Sequence, residues 1–430
     1  MRIMVLGAAV SGLAAARLAR RLGHDVVIFD ERDTDVTISG VDVVSGQFVP
    51  ELLAGVDLVV ASPGFSQMSP PIVSSLEAGI PVWSEIELAW RQLDVPVIAV
   101  TATNGKTTVT QAAADMLAAS GMRTAAAGNI GTALSDMVGG KHEVLVVEVS
   151  SFQLRFTDQF HPQVAVLLNL APDHLDWHGS YGAYADAKSR ILANQGPDDL
   201  LIYDLDDAGV QPVVKGAKSR HHPVSLSCRP QGGSGIEGGT IHLPGMKLVA
   251  SEIPIKNPTL LIDLMAAAVA ALDRGADPAA VERVFNNFGP APHRRAKVGE
   301  LHGVEFIDDS KATNPHAAMA AIGAYTSVIL IAGGLAKGLD LSPLAGAANV
   351  RLVIGIGTAG PVLVAEAGNG RGRLAASMEE AVAFAVERAR PGDTVLLAPG
   401  CASYDMFENY AARGEAFRSA VEALIKGGRA

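Results

Sequence analysis

Cysteine is nearly absent. Cys228 and Cys401 are the only two in 430 residues, far apart and without metal-ligand spacing. That argues against a disulfide framework or a thiolate zinc site and fits a reducing, cytoplasmic setting. Long apolar runs are missing too, and no stretch approaches the ~18 residues of a membrane span. The opening run Met1–Gly7 is short, interrupted by Gly7 and Gly12 and followed by Arg17, Arg20 and Arg21. It reads as a buried first strand rather than a signal peptide. Basic clusters are lacking as well. The formal net charge is −11, and short pairs such as Arg294-Arg295 suit a local anion site better than a nucleic-acid face. What is present is 49% hydrophobic and 18% charged residue, ample for packed cores, with no repeats or low-complexity tails. At about 150 residues per domain the length suggests three domains.

The pattern is α/β throughout. Residues 1–92 alternate strand and helix: Arg2–Leu6, helix Ser11–Leu22, Asp25–Phe29 ending at Asp30, then Asp57–Ala61 and the turn Ser62-Pro-Gly64. A second unit, 93–289, opens with the strand Val95–Val100 and includes Val144–Val149 and Val164–Asn169. Gln231–Gly239 reads as a loop-like stretch, and Ala266–Leu272 as a helix. Gly289-Pro-Ala-Pro292 marks the passage to a third unit, 290–430, with strands at Val304–Ile307, Val328–Ala332, Leu352–Ile356 and Thr394–Ala398. Two Rossmann-like domains flanking a central P-loop ATPase-type domain are therefore expected.

Ala102-Thr-Asn-Gly-Lys-Thr-Thr108 lies between an apolar strand and a helix. Strand, Gly-Lys-Thr and helix in that order hold nucleotide phosphates: loop N–H groups meet the anion, the lysine reaches the terminal phosphates, and the threonine hydroxyl ligates Mg²⁺. Val100 stands where the usual pattern starts with glycine, so an ordinary turn with a solvated lysine is the competing reading. Gly7–Gly12 resembles a dinucleotide turn without its middle glycine. With Asp30 at the next strand end it suits a diphosphate, and no redox cofactor follows from it.

Other polar residues gather at strand ends, where open α/β sheets bind ligands. Glu148 ends an apolar strand and suits a Mg²⁺ ligand, or else a solvated carboxylate. Asn169–His178 holds Asp173, His174, Asp176 and His178, readable as metal ligands or as a polar loop. Lys188 shares a helical face with Tyr181, Tyr184, Ala185 and Leu192, and the plain reading is an amine that snorkels to water. Lys311, Lys337 and Ser403 follow three strands of one sheet, which suits an acidic substrate. His221-His222 reads as a surface loop.

Together these motifs resemble the Mur ligase family over nearly the whole chain: Ser62-Pro-Gly64, Thr103-Asn-Gly-Lys-Thr107, Gly128-Asn-Ile-Gly131, Glu148-Val-Ser-Ser-Phe-Gln-Leu154, Asp173-His-Leu-Asp176, His293-Arg294, Asp309-Ser-Lys-Ala-Thr-Asn314 and Ala402-Ser403. Ser-Ser-Phe-Gln-Leu and Asp-Ser-Lys-Ala-Thr-Asn point to a glutamate-adding member. The resemblance implies ATP-driven ligation of D-glutamate to UDP-N-acetylmuramoyl-L-alanine through an acyl phosphate. It implies ATP contacts at Thr103, Asn104, Gly105, Lys106, Thr107, Thr108, Arg294 and Asp309. Val10, Ser11, Asp30, Glu31, Arg32, Ser62, Asn129 and Gln153 would meet the UDP substrate. Lys311, Thr313, Lys337, Ser403 and Tyr410 would receive D-glutamate. Two Mg²⁺ sites would draw on Thr107, Glu148, His174 and a carbamylated Lys188. Lys106, Asn129, His174, Lys188 and Lys311 are the implied catalytic set.

Three departures accompany the likeness. Ala102 replaces a usual glycine, which requires that its φ stay negative. Ala9 replaces another in the first turn. Leu260 and Asp263 stand at two asparagine places that contact adenine in family members, so no adenine contact is assigned to them. The expected partners are small molecules only, for a monomer with neither nucleic acid nor membrane span. Competing readings are a relative that adds L-glutamate, a folylpolyglutamate-type ligase and a nucleotide-binding oxidoreductase.

Overall fold

Ile3, Met4, Val5 and Leu6 are all buried, because β1 (Arg2–Leu6) is covered on both faces. Parallel strands in that position read as unbroken apolar runs rather than alternating ones. β2 (Asp25–Asp30), β3 (Asp42–Ser45), β4 (Leu58–Ala61) and β5 (Val82–Ser84) join it in the parallel order β3-β2-β1-β4-β5. The order reverses at β1, so a crevice opens at its carboxyl end, where the Val10–Arg21 helix begins.

The computed structural model describes residues 1–255, 257–289, 292–368 and 370–427. The chain divides into two units, one of Met1–Leu170 with Trp177–Phe288, the other of Ala171–Asp176 with Gly289–Ala430. The boundary expected at Gly289–Pro292 includes Pro290 and Ala291, which lie outside the described residues.

The first unit also holds a nine-stranded sheet. Its strands are β6 (Val97–Thr101), β7 (Thr124–Gly128), β8 (Val144–Glu148), β9 (Val164–Leu167), β10 (Leu200–Asp204), β11 (Arg220–Ser225), β12 (Ser234–Glu237), β13 (Thr240–Leu243) and β14 (Met246–Val249). The order is β14-β13-β12-β11-β10-β9-β6-β8-β7. β6 is central, flanked in parallel by β8 and β9, with Val100 opposite Glu148 and Thr101 opposite Leu167. The ends of these three strands therefore lie at one level. The Lys106–Ala119 helix packs on this sheet beside Pro258–Asp273, a far longer helix than Ala266–Leu272 alone suggested.

Two expectations fail here. Gln231–Gly239 contains a strand, β12, whose Ile236 pairs with Ile241 while Gly238 and Gly239 turn the hairpin at positive φ. His221 and His222 lie on β11 rather than in a loop, and His222 Nε2 pairs with Ser234 Oγ at 2.9 Å. Both segments sit toward the margin of the sheet, where polar residues replace the apolar run that betrays a central strand.

The second unit is built on β15 (Ala296–Leu301), β16 (Val304–Asp308), β17 (Val328–Gly333), β18 (Val350–Ile356), β19 (Gly372–Leu374) and β20 (Thr394–Leu397), in the order β15-β16-β20-β17-β18-β19. Only β15 runs antiparallel to its neighbour. β16, β20 and β17 are adjacent, so the segments carrying Lys311, Ser403 and Lys337 leave neighbouring strand ends.

Candidate active site

β6 delivers the chain into Ala102-Thr-Asn-Gly105, and Gly105 caps the Lys106–Ala119 helix at φ +91° with no side chain bonded across its start. The left-handed backbone favours glycine here, and a Cβ would stand 2.3 Å from Asp263 Oδ1, so the carboxylate would have to shift to admit one. Asp263 thus packs against the loop itself. Ala102 stays outside the left-handed region, which removes the objection to alanine at this place. Lys106 Nζ folds back onto Ala102 O (2.9 Å) and Thr103 O (3.1 Å). Thr103 and Thr108 are buried and Thr107 is half-buried.

Lys188 does not snorkel. Its side chain is buried (2% exposed), and Nζ donates to Ala102 O at 2.8 Å and Thr101 Oγ1 at 3.2 Å, 4.9 Å above the Tyr184 ring. Two lysines therefore converge on one carbonyl of the phosphate loop. Tyr184, a residue with no role expected of it, bonds Thr103 Oγ1 through its hydroxyl at 2.9 Å. On β8, Glu148 is buried. Its Oε1 accepts from Asn129 Nδ2 at 2.9 Å, while Oε2 has no hydrogen-bond partner among the described residues. A buried carboxylate oxygen without a donor is costly unless a cation meets it. Gln153 spends its carbonyl oxygen in the capping box of the Ser151–Arg155 helix, bonded to Ser150 N and Oγ.

In the first turn, a Cβ on Gly12 would lie 1.9 Å from Gly7 O and 2.9 Å from Ser62 Oγ. Ser62 Oγ is buried without a hydrogen-bond partner among the described residues. Asp30 accepts from Ala8 N at 2.8 Å and from Arg32 N at 3.0 Å, so its carboxylate braces the turn. Burial pushes its pKa upward, and those N–H groups with the Arg32 charge outweigh it, leaving the group below its ordinary value. Val10, Glu31 and Arg32 are exposed, and Ser11 is half-buried.

The segment Asn169–His178 is divided between the two units. His178 is buried in the first unit with Nε2 2.9 Å from Ser151 Oγ. Asp173, in the second unit, accepts from Asn314 Nδ2 at 2.9 Å and lies 3.5 Å from Lys337 Nζ. His174 follows at φ +51°, and Asp176 is exposed. Among the described residues no group of three or more His, Cys, Asp or Glu side chains is arranged to hold a metal.

In the same unit, Lys311 Nζ sits 3.7 Å over the Tyr410 ring. Thr313 is half-buried and Ser403 buried. Lys337 adopts φ +54°. Asp309 accepts from Arg295 N at 3.2 Å, and burial raises its pKa to about 6 against the pull of Arg295 and Arg294. Arg413, absent from the sequence reading, is 1% exposed and donates to Ser310 O and Oγ, Gly333 O and Cys401 O. One guanidinium thus ties the end of β17 to the segments after β16 and β20. Burial lowers its pKa to about 10.

Three family models match the chain: "Mur ligase MurD-like, N-terminal domain" over residues 1–84, "Mur ligase middle domain" over 100–238 and "Mur ligase, glutamate ligase domain" over 293–401. The UDP-N-acetylmuramoylalanine–D-glutamate ligase of Frankia casuarinae is 41% identical, the alignment covering 98% of this chain and 94% of that one. Its namesake in Myxococcus xanthus is 38% identical, with 98% of each covered. Among solved structures, the UDP-N-acetylmuramate–alanine ligase of Thermotoga maritima shares the fold, with a TM-score of 0.60 at 16% identity over 98% of this chain and 99% of that one.

Proposed function

This chain belongs to the Mur ligase family, and we propose that it uses ATP to join D-glutamate to UDP-N-acetylmuramoyl-L-alanine in the synthesis of peptidoglycan precursors. The observation that carries the reading is the loop after β6. Gly105 opens a helix at positive φ, Lys106 and Lys188 converge on Ala102 O, and Glu148 ends the neighbouring strand at the same level. The division of labour we assign is UDP substrate to residues 1–92, ATP to 93–289 and the amino acid to 290–430. The enzyme works as a cytoplasmic monomer. No helix among the described residues is long and apolar enough to cross a membrane.

In this reading the alanyl carboxylate of the UDP substrate attacks the γ-phosphorus of ATP, forming an acyl phosphate and releasing ADP. The amine of D-glutamate then adds to the acyl carbonyl. The tetrahedral adduct expels phosphate and loses a proton, leaving an amide. Lys106, with the loop N–H groups of Gly105–Thr108, neutralises charge on the transferring phosphoryl group, where positioning and electrostatics supply most of the catalysis. Asn129 holds Glu148 in place and stands beside the reacting groups. Val10, Ser11, Asp30, Glu31, Arg32, Ser62 and Gln153 form the UDP-substrate side, and Arg294 and Asp309 the second nucleotide contact. Lys311, Thr313, Lys337, Ser403 and Tyr410 receive D-glutamate.

Mg²⁺ fits the donor set. It takes one or two carboxylates plus phosphate oxygens rather than an all-protein cage, and Glu148 offers a buried oxygen with no hydrogen-bond partner among the described residues. Thr107, Glu148, His174 and a carbamylated Lys188 would hold the two ions, which when bound neutralise phosphate charge. As a free amine Lys188 only donates; a carbamate would give it oxygens.

Phosphate release from ATP with UDP-N-acetylmuramoyl-L-alanine tests the proposal, comparing D-glutamate, L-glutamate and meso-diaminopimelate. Release with D-glutamate alone is expected. Equal or greater release with either of the others overturns the assignment of the amino acid.

A further inference from the structure

We infer that Asn169 is a positioning residue that sets the shape of the phosphate loop, by adding to the sheet one rung made from a side chain. β6 and β9 pair in parallel, and their pairing continues beyond both strands: Leu168 N donates to Thr101 O at 3.2 Å, and Thr103 N to Asn169 O at 2.9 Å. The next rung uses the Asn169 carboxamide. Its Oδ1 accepts from Asn104 N at 2.9 Å, and its Nδ2 donates to Asn104 O at 2.9 Å. A carboxamide carries the same donor and acceptor as a peptide group, so it can satisfy both polar groups of one residue at once.

The place of this rung matters more than its strength. Residues 103 and 104 immediately precede Gly105, the most permissive residue in the loop, which is held at φ +91°. Asn169 grips the peptide groups just before it, and its side chain is only 9% exposed, so water competes poorly for the two bonds. No other residue type supplies both bonds at this reach. Aspartate keeps the acceptor, loses the donor and sets an anionic oxygen against Asn104 O beside a site meant for phosphate. Leucine keeps the shape and loses both. Asn169 touches no reacting group; it acts through Thr103 and Asn104. The inference rests on the reading of this loop as the ATP phosphate site.

The test uses the full chain carrying Asn169→Leu, Asn169→Asp or Asn169→Ser, with Lys106→Ala alongside. Steady-state ligation is measured against each substrate in turn, with hydrogen exchange of the peptide spanning residues 101–108 in the free protein. The expected result is a Michaelis constant for ATP raised about tenfold, the scale of two neutral hydrogen bonds. Those for D-glutamate and the UDP substrate stay at wild-type values, and the loop amides exchange faster. Asn169→Ser, smaller than the native residue, gives the same reading if the leucine variant does not fold. An unchanged Michaelis constant for ATP, a parallel rise for all three substrates, or unchanged exchange overturns the inference. Lys106→Ala separates the two claims. If it abolishes ligation while the Asn169 variants behave as wild type, only the role of Asn169 falls. If it ligates normally, the phosphate-loop reading falls as well.

Discussion

Replacing Glu85 with glutamine should remove a pH dependence of stability that one buried carboxyl creates. Glu85 opens the Glu85–Trp90 helix, is 1% exposed, and accepts from Ser135 N at 2.5 Å through Oε1. Burial raises its pKa from 4.5 to about 7, with the nearby Asp136 charge adding to the rise and the Ser135 N–H opposing it. Between those two pH values the folded protein holds a proton that the unfolded chain has released. Stability contributed here is therefore complete below pH 4.5, falls as pH rises through the window, and is lost above about 7. The loss at pH 8 is about 3 kcal/mol, at 1.36 kcal/mol for each pH unit. Glutamine keeps the acceptor oxygen and never ionises. Urea unfolding of both proteins across this range, read by the fluorescence of Trp83 and Trp90, gives the difference directly. Glu85→Gln and wild type should agree near pH 4.5 and separate by up to about 3 kcal/mol at pH 8, the variant being more stable. A constant offset at every pH, or a variant less stable at pH 8, would refute the reasoning. Taking the difference cancels the other titrating groups, Asp309 and Asp204 included.

Lys106→Ala should lower the ligation rate at least about 100-fold, as expected when a charged donor to the transferring group is lost. Binding of the UDP substrate, measured by calorimetry, should persist, and a near wild-type rate would remove the loop from the ATP site. Lys188→Ala should lose activity that acetate or formate partly restores if the native residue is carbamylated; an unmodified lysine by mass spectrometry in ample bicarbonate would count against it. Lys337→Ala should raise the Michaelis constant for D-glutamate about 10- to 100-fold, the scale of one charge-assisted hydrogen bond. That for ATP should change much less. Equal effects on both would move Lys337 to the nucleotide site, and no effect on either would leave it as the ion-pair partner of Asp173 alone.

The residues proposed to carry chemistry were legible because the architecture announces where they stand. A short, valine-rich apolar run such as Val144–Val147 reads as a buried strand, and a charged residue at its end, Glu148, asks for a partner. The same logic points to Lys106, Lys311, Lys337 and Ser403. It failed where composition conflicts with local geometry. β7 reads Thr-Ala-Ala-Ala-Gly, a sequence with helical propensity that becomes a strand because β8 supplies a ladder of hydrogen bonds. β12 lies within a glycine-rich stretch and gains its identity from pairing with β13. Lys188 was misjudged in its plain reading because an amphipathic helix lets a lysine reach water, and only the tertiary structure shows that its amine meets Ala102 O instead.

The supporting residues were illegible for a deeper reason. Asn169, Arg413 and Glu87 act on backbone groups, and a backbone group has no signature in the sequence. Glu87, fully buried, accepts from Asp158 N, Gln159 N and Phe160 N while Arg91 pairs with it, so one carboxylate holds three consecutive peptides more than seventy residues away. Arg413 does the same for carbonyls at three strand ends, and Asn169 for both polar groups of Asn104. Each is a polar side chain in a setting where an apolar one would pack, and each resolves the problem that a loop cannot pair its own backbone as a sheet does. Reading chemistry from a sequence therefore reaches the groups that face a ligand before it reaches those that hold them there. Changing Asn169 should damage the binding of ATP rather than the whole fold, which is why the separation of Michaelis constants is the measurement that exposes it.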